Sequence, residues 1–265
     1  MSAIERATPA QKTRRLVVLL SALFAVAVPA LQYATGFGLT QAEFAADGNT
    51  TLQVAGYAFS IWGAIYAGLL IYAGRQALPQ TGESALLNHL GWPSAVSMFG
   101  IGLWIIAAAT NQKWASVVII YAALLALLIP LLMDGRRIRQ TALTDRDRWF
   151  LIWPLSALAG WLTIASPLNL ITTATALEFL PAALSPTAWA LVAVVAVLLV
   201  GLGVTYVLRT LFYPFPIAWG LVGAFVAEQD RNPLLGFSAL GAAFLLVVGA
   251  VIITFGLRRG IVRSR

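Results

Sequence analysis

The aromatic side chains in residues 57–72 (YAFSIWGAIYAGLLIY) are the best candidates in this sequence for holding a ligand. Phe59, Trp62 and Tyr66 are spaced three and four residues apart, so on a helix they share one face. At a rise of about 1.5 Å per residue, Tyr66 lies on the order of 13 Å deeper than Tyr57, beyond the depth of a belt of rings at a membrane surface. Such a stripe can stack on a flat apolar molecule. We interpret its start as the wall of a site and the rest as a packing face.

The residue types give little support to acid–base, nucleophilic or metal chemistry. The sequence has no cysteine and one histidine, His89, which falls in the polar segment QTGESALLNHLG and is expected to be a solvated loop residue. These counts exclude disulfides, thiolate nucleophiles and a histidine pair that could ligate haem or a catalytic metal. An enzyme would have to use loop carboxylates such as Glu43, Asp47 or Glu178, because the apolar segments supply no titratable partner for a serine or threonine.

The composition is that of a polytopic membrane protein. Of the 265 residues, 60% are apolar and 10% are charged, and the mean hydropathy is +0.85. Crossing a hydrocarbon core takes about 17 to 25 apolar residues. The predicted fold class is therefore all-α, a polytopic integral membrane helical bundle of eight transmembrane helices. The predicted spans are 16–35, 57–78, 92–110, 114–133, 149–172, 187–208, 211–227 and 233–256.

The basic residues give this topology a direction. Fifteen of the 17 Lys and Arg residues fall on the side of the two termini, and only Lys113 and Arg231 fall on the other. The positive-inside rule then predicts cytoplasmic N- and C-termini in an integral protein of the bacterial cytoplasmic (inner) membrane. The net charge of +7 is explained by anionic lipid of the inner leaflet, so membrane lipid is an expected partner and nucleic acid is not.

No Asp, Glu, Lys, Arg or His lies inside a predicted span. Proton-coupled carriers, voltage sensors and ion pumps place ionisable groups in the membrane, so these classes are disfavoured. The first long connection, residues 36–56, contains Phe44 and Leu52 and is expected either to fold over the outer face as a lid or to remain a floppy loop. Small residues such as Gly63 and Ala67 let helices approach closely, and a homodimer is an expected partner arrangement.

Other spans carry further candidates for the same site. Trp104 and Trp161 are predicted near the membrane midplane, and Asn111 and Asn169 near the outer ends of the same two spans. With the stripe on the second span, these residues could line one apolar pocket that has a few polar groups. The alternative for the tryptophans is ordinary core packing. The predicted ligand-binding residues are Phe59, Trp62, Tyr66, Trp104, Asn111, Trp161 and Asn169.

The motifs around these residues resemble those of the TspO/translocator-protein (tryptophan-rich sensory protein, TspO/MBR) family. The segment from Phe59 to Tyr66 (FSIWGAIY) is similar to the family's second-helix signature, and the segment from Trp161 to Asn169 (WLTIASPLN) is similar to its fifth-helix pattern. Trp104 occupies the place of the family's third-helix tryptophan. The resemblance covers 16–172, so we divide the chain into a cytoplasmic tail (1–15), a five-helix core (16–172) and a three-helix extension with a basic tail (173–265).

The resemblance implies a pocket among the first five spans, capped by the first connection, that binds a flat apolar ligand such as a porphyrin, another tetrapyrrole or a sterol. Trp62, Tyr66, Trp104, Trp161 and Asn169 would inherit the pocket roles. No cofactor is required, and a tetrapyrrole would be a ligand held without histidine. Three functions remain open: a sensor, regulator or carrier that binds such a ligand, a secondary transporter of a neutral or amphipathic solute, and an intramembrane enzyme that modifies isoprenoids or lipids.

Overall fold

The computed structural model describes residues 8–48, 50–78 and 84–256, and within these ranges the regular structure is helical, without a strand. The α-helices in the described ranges are α1 (Pro9–Thr35), α2 (Gln41–Ala46), α3 (Ile61–Ala77), α4 (Ala85–Ala109), α5 (Lys113–Met133), α6 (Gly135–Gln140), α7 (Trp153–Ala176), α8 (Pro186–Leu208), α9 (Pro214–Glu228) and α10 (Pro233–Val251). A 3-10 turn (Gly56–Ser60) leads into α3, and π-helical turns precede α7 (Arg148–Ile152) and follow α10 (Ile252–Gly256).

Each predicted span corresponds to one helix, and seven of these are long, so the all-α polytopic fold class is confirmed. With their 3-10 and π-helical extensions, seven helices of the described chain are long and apolar enough to cross a membrane. The seventh predicted span, α9, has only 15 residues. At about 1.5 Å per residue it covers about 22 Å, less than a hydrocarbon core of about 30 Å.

The first helix begins earlier than the sequence predicts. Thr8 caps it, because the Thr8 hydroxyl accepts the Gln11 amide at 3.3 Å and the Gln11 side chain accepts the Thr8 amide at 2.8 Å. Part of the predicted tail 1–15 is therefore helical from Pro9 onward. Residues 1–7 of that tail, and the basic C-terminal residues 257–265, lie outside the described residues.

His89 is exposed to solvent, as predicted, but the prediction that it lies in a loop is wrong. Ser84 caps α4 by accepting the Leu87 amide at 3.0 Å, so the helix starts before His89 rather than at residue 92. His89 Nδ1 contacts the carboxylate of Asp134, which is buried and also accepts Arg137 at 2.8 Å. His89 thus ties the start of α4 to the segment that follows α5.

Charged residues divide between the two ends of the bundle. We call the end with Arg14, Arg75 and Arg148 the basic end, and the end with Asp47 and Glu228 the loop end. At the basic end Arg75 pairs with Asp147 at 3.1 Å, and the buried Arg148 donates to the Thr141 carbonyl at 2.6 Å. The residues at this end are among those that the sequence predicts on the basic side of the membrane. That it faces the cytoplasm remains a prediction.

The first connection folds across the loop end. Its short helix α2 buries Phe44, and Leu52 is buried after it, as expected of a lid. Gly38 and Gly48 have positive φ angles of 66° and 87°, and a β-carbon at either would lie 2.2 Å from a carbonyl oxygen, of Ala109 and Thr172 respectively. Only glycine fits both the conformation and the space. The connection is therefore held against α4 and α7 by its backbone.

A pH-dependent interaction fastens the start of α2. Glu43 accepts hydrogen bonds from the Thr40 amide and from the Thr40 hydroxyl, both at 2.8 Å. These bonds, the one from the amide most, lower the pKa of Glu43 from its usual 4.5. Because the folded-state pKa is lowered, the stability that these bonds contribute is present above pH 4.5 and is lost as the pH falls through the lowered pKa.

In Glu43→Ala we expect faster amide exchange of α2 than in the native protein at neutral pH, with the difference vanishing in acid. Glu178→Ala, an exposed carboxylate after α7, should exchange in α2 like the native protein at every pH.

Candidate functional site

Four aromatic residues meet where α3 faces α7, and we call Phe59, Trp62, Tyr66 and Trp161 the aromatic cluster. The Trp62 and Tyr66 rings stack with centroids 5.1 Å apart and planes at 19°. Trp161 meets the Trp62 ring edge-on at 6.0 Å and the Phe59 ring at 6.4 Å. The three- and four-residue spacing on α3 therefore does place these rings on one face, and that face is turned to Trp161.

The cluster contains buried hydrogen-bond donors that are not used. Trp62 Nε1, Tyr66 Oη and Trp161 Nε1 are buried, and none has a hydrogen-bond partner within the described part of the chain. The same holds for Trp104 Nε1. An indole or phenol at the core of a protein normally finds a partner, and a buried donor left alone costs about 1–3 kcal/mol. Their concentration here is the strongest chemical signal in the described bundle.

Helix α9 supplies one side of the cluster. Trp219 Nε1 donates to the Ala58 carbonyl at 2.9 Å, and the Trp219 ring meets Tyr57 edge-on at 5.4 Å. A β-carbon at Gly220 would lie 2.8 Å from Ile164 Cδ1 and 3.4 Å from the Trp161 ring, so this glycine lets α9 approach α7 closely beside the ring. The sequence signal was the segment Phe215–Trp219 (FPIAW), which is similar to the second-helix signature of the TspO family. Its tryptophan fixes the 3-10 turn before α3.

The remaining predicted residues lie elsewhere. Trp104 meets the Phe44 ring of the lid edge-on at 6.3 Å. Asn111 is exposed in the turn between α4 and α5, with a φ of 55°. Asn169 is buried and donates to the Ser116 hydroxyl at 2.9 Å, which joins α7 to α5. The structure thus brings Phe59, Trp62, Tyr66 and Trp161 together and places Trp104 beneath the first connection. Asn111 lies in a turn, and Asn169 forms a contact between two helices.

The cluster can stack and donate hydrogen bonds, and it holds no metal-binding geometry. Its one titratable side chain is that of Tyr66. Within the described residues, no three His, Asp or Glu side chains are grouped so that they could hold a metal ion. Non-covalent binding is the chemistry that these side chains support.

A second concave feature lies on another face of α3, and we call it the lateral groove. It has a volume of about 540 Å³, within the range of small-molecule sites. It runs between α3, the start of α7 and the start of α9, so it lies toward the basic end. Its walls are apolar, and none of the seven predicted ligand-binding residues lines it. The lining residues are Ile61, Ala64, Ile65, Ala67, Gly68, Ile71, Trp149, Phe150, Trp153, Pro154, Ala157, Phe212, Phe215 and Pro216.

Sequence reasoning also missed Glu228, which lies just beyond the predicted seventh span. It is fully buried at the end of α9, pairs with Arg231 at 2.7 Å and accepts the Gln53 amide at 2.6 Å. It therefore binds the segment that enters the aromatic cluster to α9. A carboxylate at a helix end followed by an arginine three residues later is a weak signal, because it is also typical of exposed helix ends.

These features define a helical integral membrane protein whose candidate site works by ring stacking and hydrogen bonding. The family model described as TSPO-like protein matches residues 15–252, and because this match spans most of the chain, the protein belongs to the TSPO-like family. Membership indicates a role in binding or sensing a ligand within the membrane. The match runs beyond residue 172 and includes α8, α9 and α10. No curated protein and no solved structure matches the chain.

Proposed function

We propose that this protein is a sensor or carrier that binds a flat hydrophobic ligand, such as a tetrapyrrole or a sterol, at the aromatic cluster. The observation that carries the proposal is the set of buried donors on Trp62, Tyr66 and Trp161 that have no partner among the described residues. A ligand with carbonyl, carboxylate or hydroxyl oxygens at its edge would accept from them. Each bond would remove a cost of about 1–3 kcal/mol.

The rings supply the apolar part of the affinity. Trp62 and Tyr66 already present parallel faces, and Trp161 presents an edge to them. A flat ligand that replaces one of these ring contacts keeps the stacking geometry, which is worth about 0.5–1.5 kcal/mol for each aromatic pair. Burial of its apolar surface adds about 25 cal/mol per Å². His89 contacts Asp134 at the basic end, so a tetrapyrrole at the cluster would be held without it.

The test is a titration of the detergent-purified protein with protoporphyrin, followed both by protein fluorescence and by the porphyrin absorption band. We expect saturable binding, weakened roughly tenfold in Trp62→Leu and in Trp161→Leu, since each loses a ring contact and a donor. Trp92→Leu is the control, because Trp92 is 49% exposed and lies on α4. It should bind like the native protein.

Two results would count against the proposal. If all three variants bind protoporphyrin as tightly as the native protein does, the aromatic cluster is not the binding site. Absence of saturable binding to the native protein would exclude tetrapyrroles and leave a sterol probe to be tested in the same variants.

Secondary transport is a second candidate, favoured by the length of α9. This helix has 15 residues and is preceded by Arg209, which has a left-handed φ of 49°. Short or interrupted helices often border the substrate site of a transporter. Liposomes loaded with protoporphyrin distinguish the two roles: a carrier speeds its release across the bilayer, whereas a sensor binds it without changing the release rate.

A further inference from the structure

The lateral groove has the features of a lipid site on the basic side of the membrane. We propose that it binds an acyl chain of an anionic phospholipid of that leaflet, and that Arg146 and Arg209 bind the lipid phosphate. The proposal is independent of the aromatic cluster, because none of its four residues lines the groove. Trp62→Leu should therefore leave lipid binding unchanged.

The shape of the groove suits a narrow chain. Small residues make up part of its lining, and we call them the floor: Ala64, Ala67 and Gly68 of α3 and Ala157 of α7. The distance along a helix from Arg146 to Ala157 is about 16 Å at 1.5 Å per residue. This is about half of a hydrocarbon core of about 30 Å, the depth of one leaflet. The groove can thus follow a single chain from the headgroup level toward the midplane.

Aromatic rings form a continuous wall along the groove. Trp149 and Trp153 lie 4.1 Å apart between ring centroids, and Trp153 stacks on Phe212 at 4.2 Å with planes at 13°. The Trp149 indole is fixed by its bond to the Leu143 carbonyl at 2.7 Å. This wall joins the start of α7 to the segment before α9, so the groove keeps its width without a chain in it.

Arg146 is close in the chain to the groove residues at the basic end. It stands three and four residues before Trp149 and Phe150, in the helical turn that leads into the π-helical segment. This spacing places Arg146 within about one helical turn of two residues that line the groove. Its side chain is exposed and makes no bond to another described residue.

Arg209 is close in the chain to Phe212, which lines the other side of the groove. It comes three residues before Phe212, and its Nε is buried without a hydrogen-bond partner among the described residues. A buried guanidinium nitrogen without a partner indicates an acceptor that the described chain does not provide. Phosphate oxygens accept from guanidinium groups in this way. Two cations above an apolar groove favour an anionic amphiphile over a neutral one.

A second copy of this chain is the other candidate occupant of an apolar groove. It is disfavoured because an α-helix with side chains is about 10–12 Å wide, whereas the small-residue floor is bordered by rings of the same protomer. The two arginines would also need carboxylates from that copy: Asp134 and Asp147 are already paired, and Asp145 accepts the Asp147 amide at 2.8 Å.

The experiment is a titration of the delipidated full-length protein in detergent with phosphatidylglycerol and with phosphatidylcholine of identical chains, read by native mass spectrometry. We expect the native protein to bind phosphatidylglycerol at least tenfold more tightly. Arg146→Gln and Arg209→Gln should each weaken that lipid about fivefold and leave phosphatidylcholine unchanged. Arg136→Gln, which removes an exposed arginine that does not flank the groove, should keep the preference.

The second part of the experiment uses a substitution that fills the groove. Ala64→Leu should weaken both lipids, because the larger side chain occupies the floor, whereas Ala122→Leu, an equal change on the exposed face of α5, should weaken neither. Equal affinity for the two lipids, or an unchanged preference in both arginine variants, would overturn the proposal. Concentration-dependent dimers that disappear in Ala64→Leu would assign the groove to a second copy instead.

Discussion

Gly160→Ala is expected to destabilise the bundle by about 3 kcal/mol, at the upper end of the range for inserting a methyl group into a packed core. A β-carbon at Gly160 would lie 2.0 Å from the carbonyl oxygen of Tyr213 and 3.0 Å from its carbonyl carbon. Both are backbone atoms, so no side-chain rotation can relieve the contact. Moreover, the Tyr213 hydroxyl lies 2.8 Å from that of Thr163, which fixes the same segment from a second direction. Helix α7 and the start of α9 would have to separate.

The measurement is reversible unfolding in mixed detergent micelles, with Gly203→Ala as the control. Gly203 also lies in the interior of a spanning helix, but nothing lies within 4 Å of its added β-carbon. It should be unchanged or more stable by roughly 0.5–1 kcal/mol, since alanine is the better helix former. If both variants unfold at the same detergent fraction as the native protein, α7 and α9 are not packed as described. Because Trp161 follows Gly160 in the chain, the first variant should also lose affinity for the cluster ligand.

The helices were predictable because their signal is local. Runs of apolar residues and the division of the arginines predict eight helices, seven of which are long enough to span a membrane, and both signals are read within short windows. The stripe of Phe59, Trp62 and Tyr66 was predictable for the same reason, since the spacing of rings on one helix fixes which of them share a face. Membership of the TSPO-like family, predicted from these motifs, is confirmed by the family match.

The partners of those rings depend on contacts between distant segments. Nothing in the sequence pairs Trp219 with Ala58, which are 161 positions apart, and nothing identifies Gly220 as the place where α9 approaches Trp161. The lateral groove was not predicted. It is formed by small residues of α3 together with rings from distant segments, such as Trp153 and Phe212, and the sequence does not show that these meet. His89 was misplaced because a polar segment before a Trp-Pro pair is typical of a loop, whereas the cap at Ser84 starts the helix earlier.

Asn111 illustrates a different limit. Its position near the end of a span made it a candidate for a pocket, but asparagine is also among the few residues that tolerate a left-handed conformation. The structure uses it in that way, with a φ of 55° between α4 and α5. Composition and spacing do not distinguish an amide that binds a ligand from one that permits a turn.

Glu228→Ala is expected to lower the free energy of unfolding by about 1.5–3 kcal/mol, because it removes a fully buried carboxylate that accepts a backbone amide. The change deletes the acceptor of the Gln53 amide and the counterion of Arg231. Amide exchange at Gln53 should become at least tenfold faster, whereas exchange in α5, which is remote from this contact, should follow only the global loss of stability. Asp230→Asn, two residues away and exposed, should change neither quantity.

The effect should reach the aromatic cluster, because the same segment continues into it. Gln53 and Ala55 bond to α9 through Glu228 and the Gly223 carbonyl, and the chain then enters the turn that carries Phe59. Weakening the bond between the Gln53 amide and Glu228 leaves the rings in place, but it loosens the first connection where this covers the loop end. Protoporphyrin should therefore bind and dissociate faster in Glu228→Gln, which keeps the shape of the side chain, with little change in affinity. Unchanged rates in this variant would mean that the ligand reaches the cluster by another route, between α3 and α7 from the bilayer.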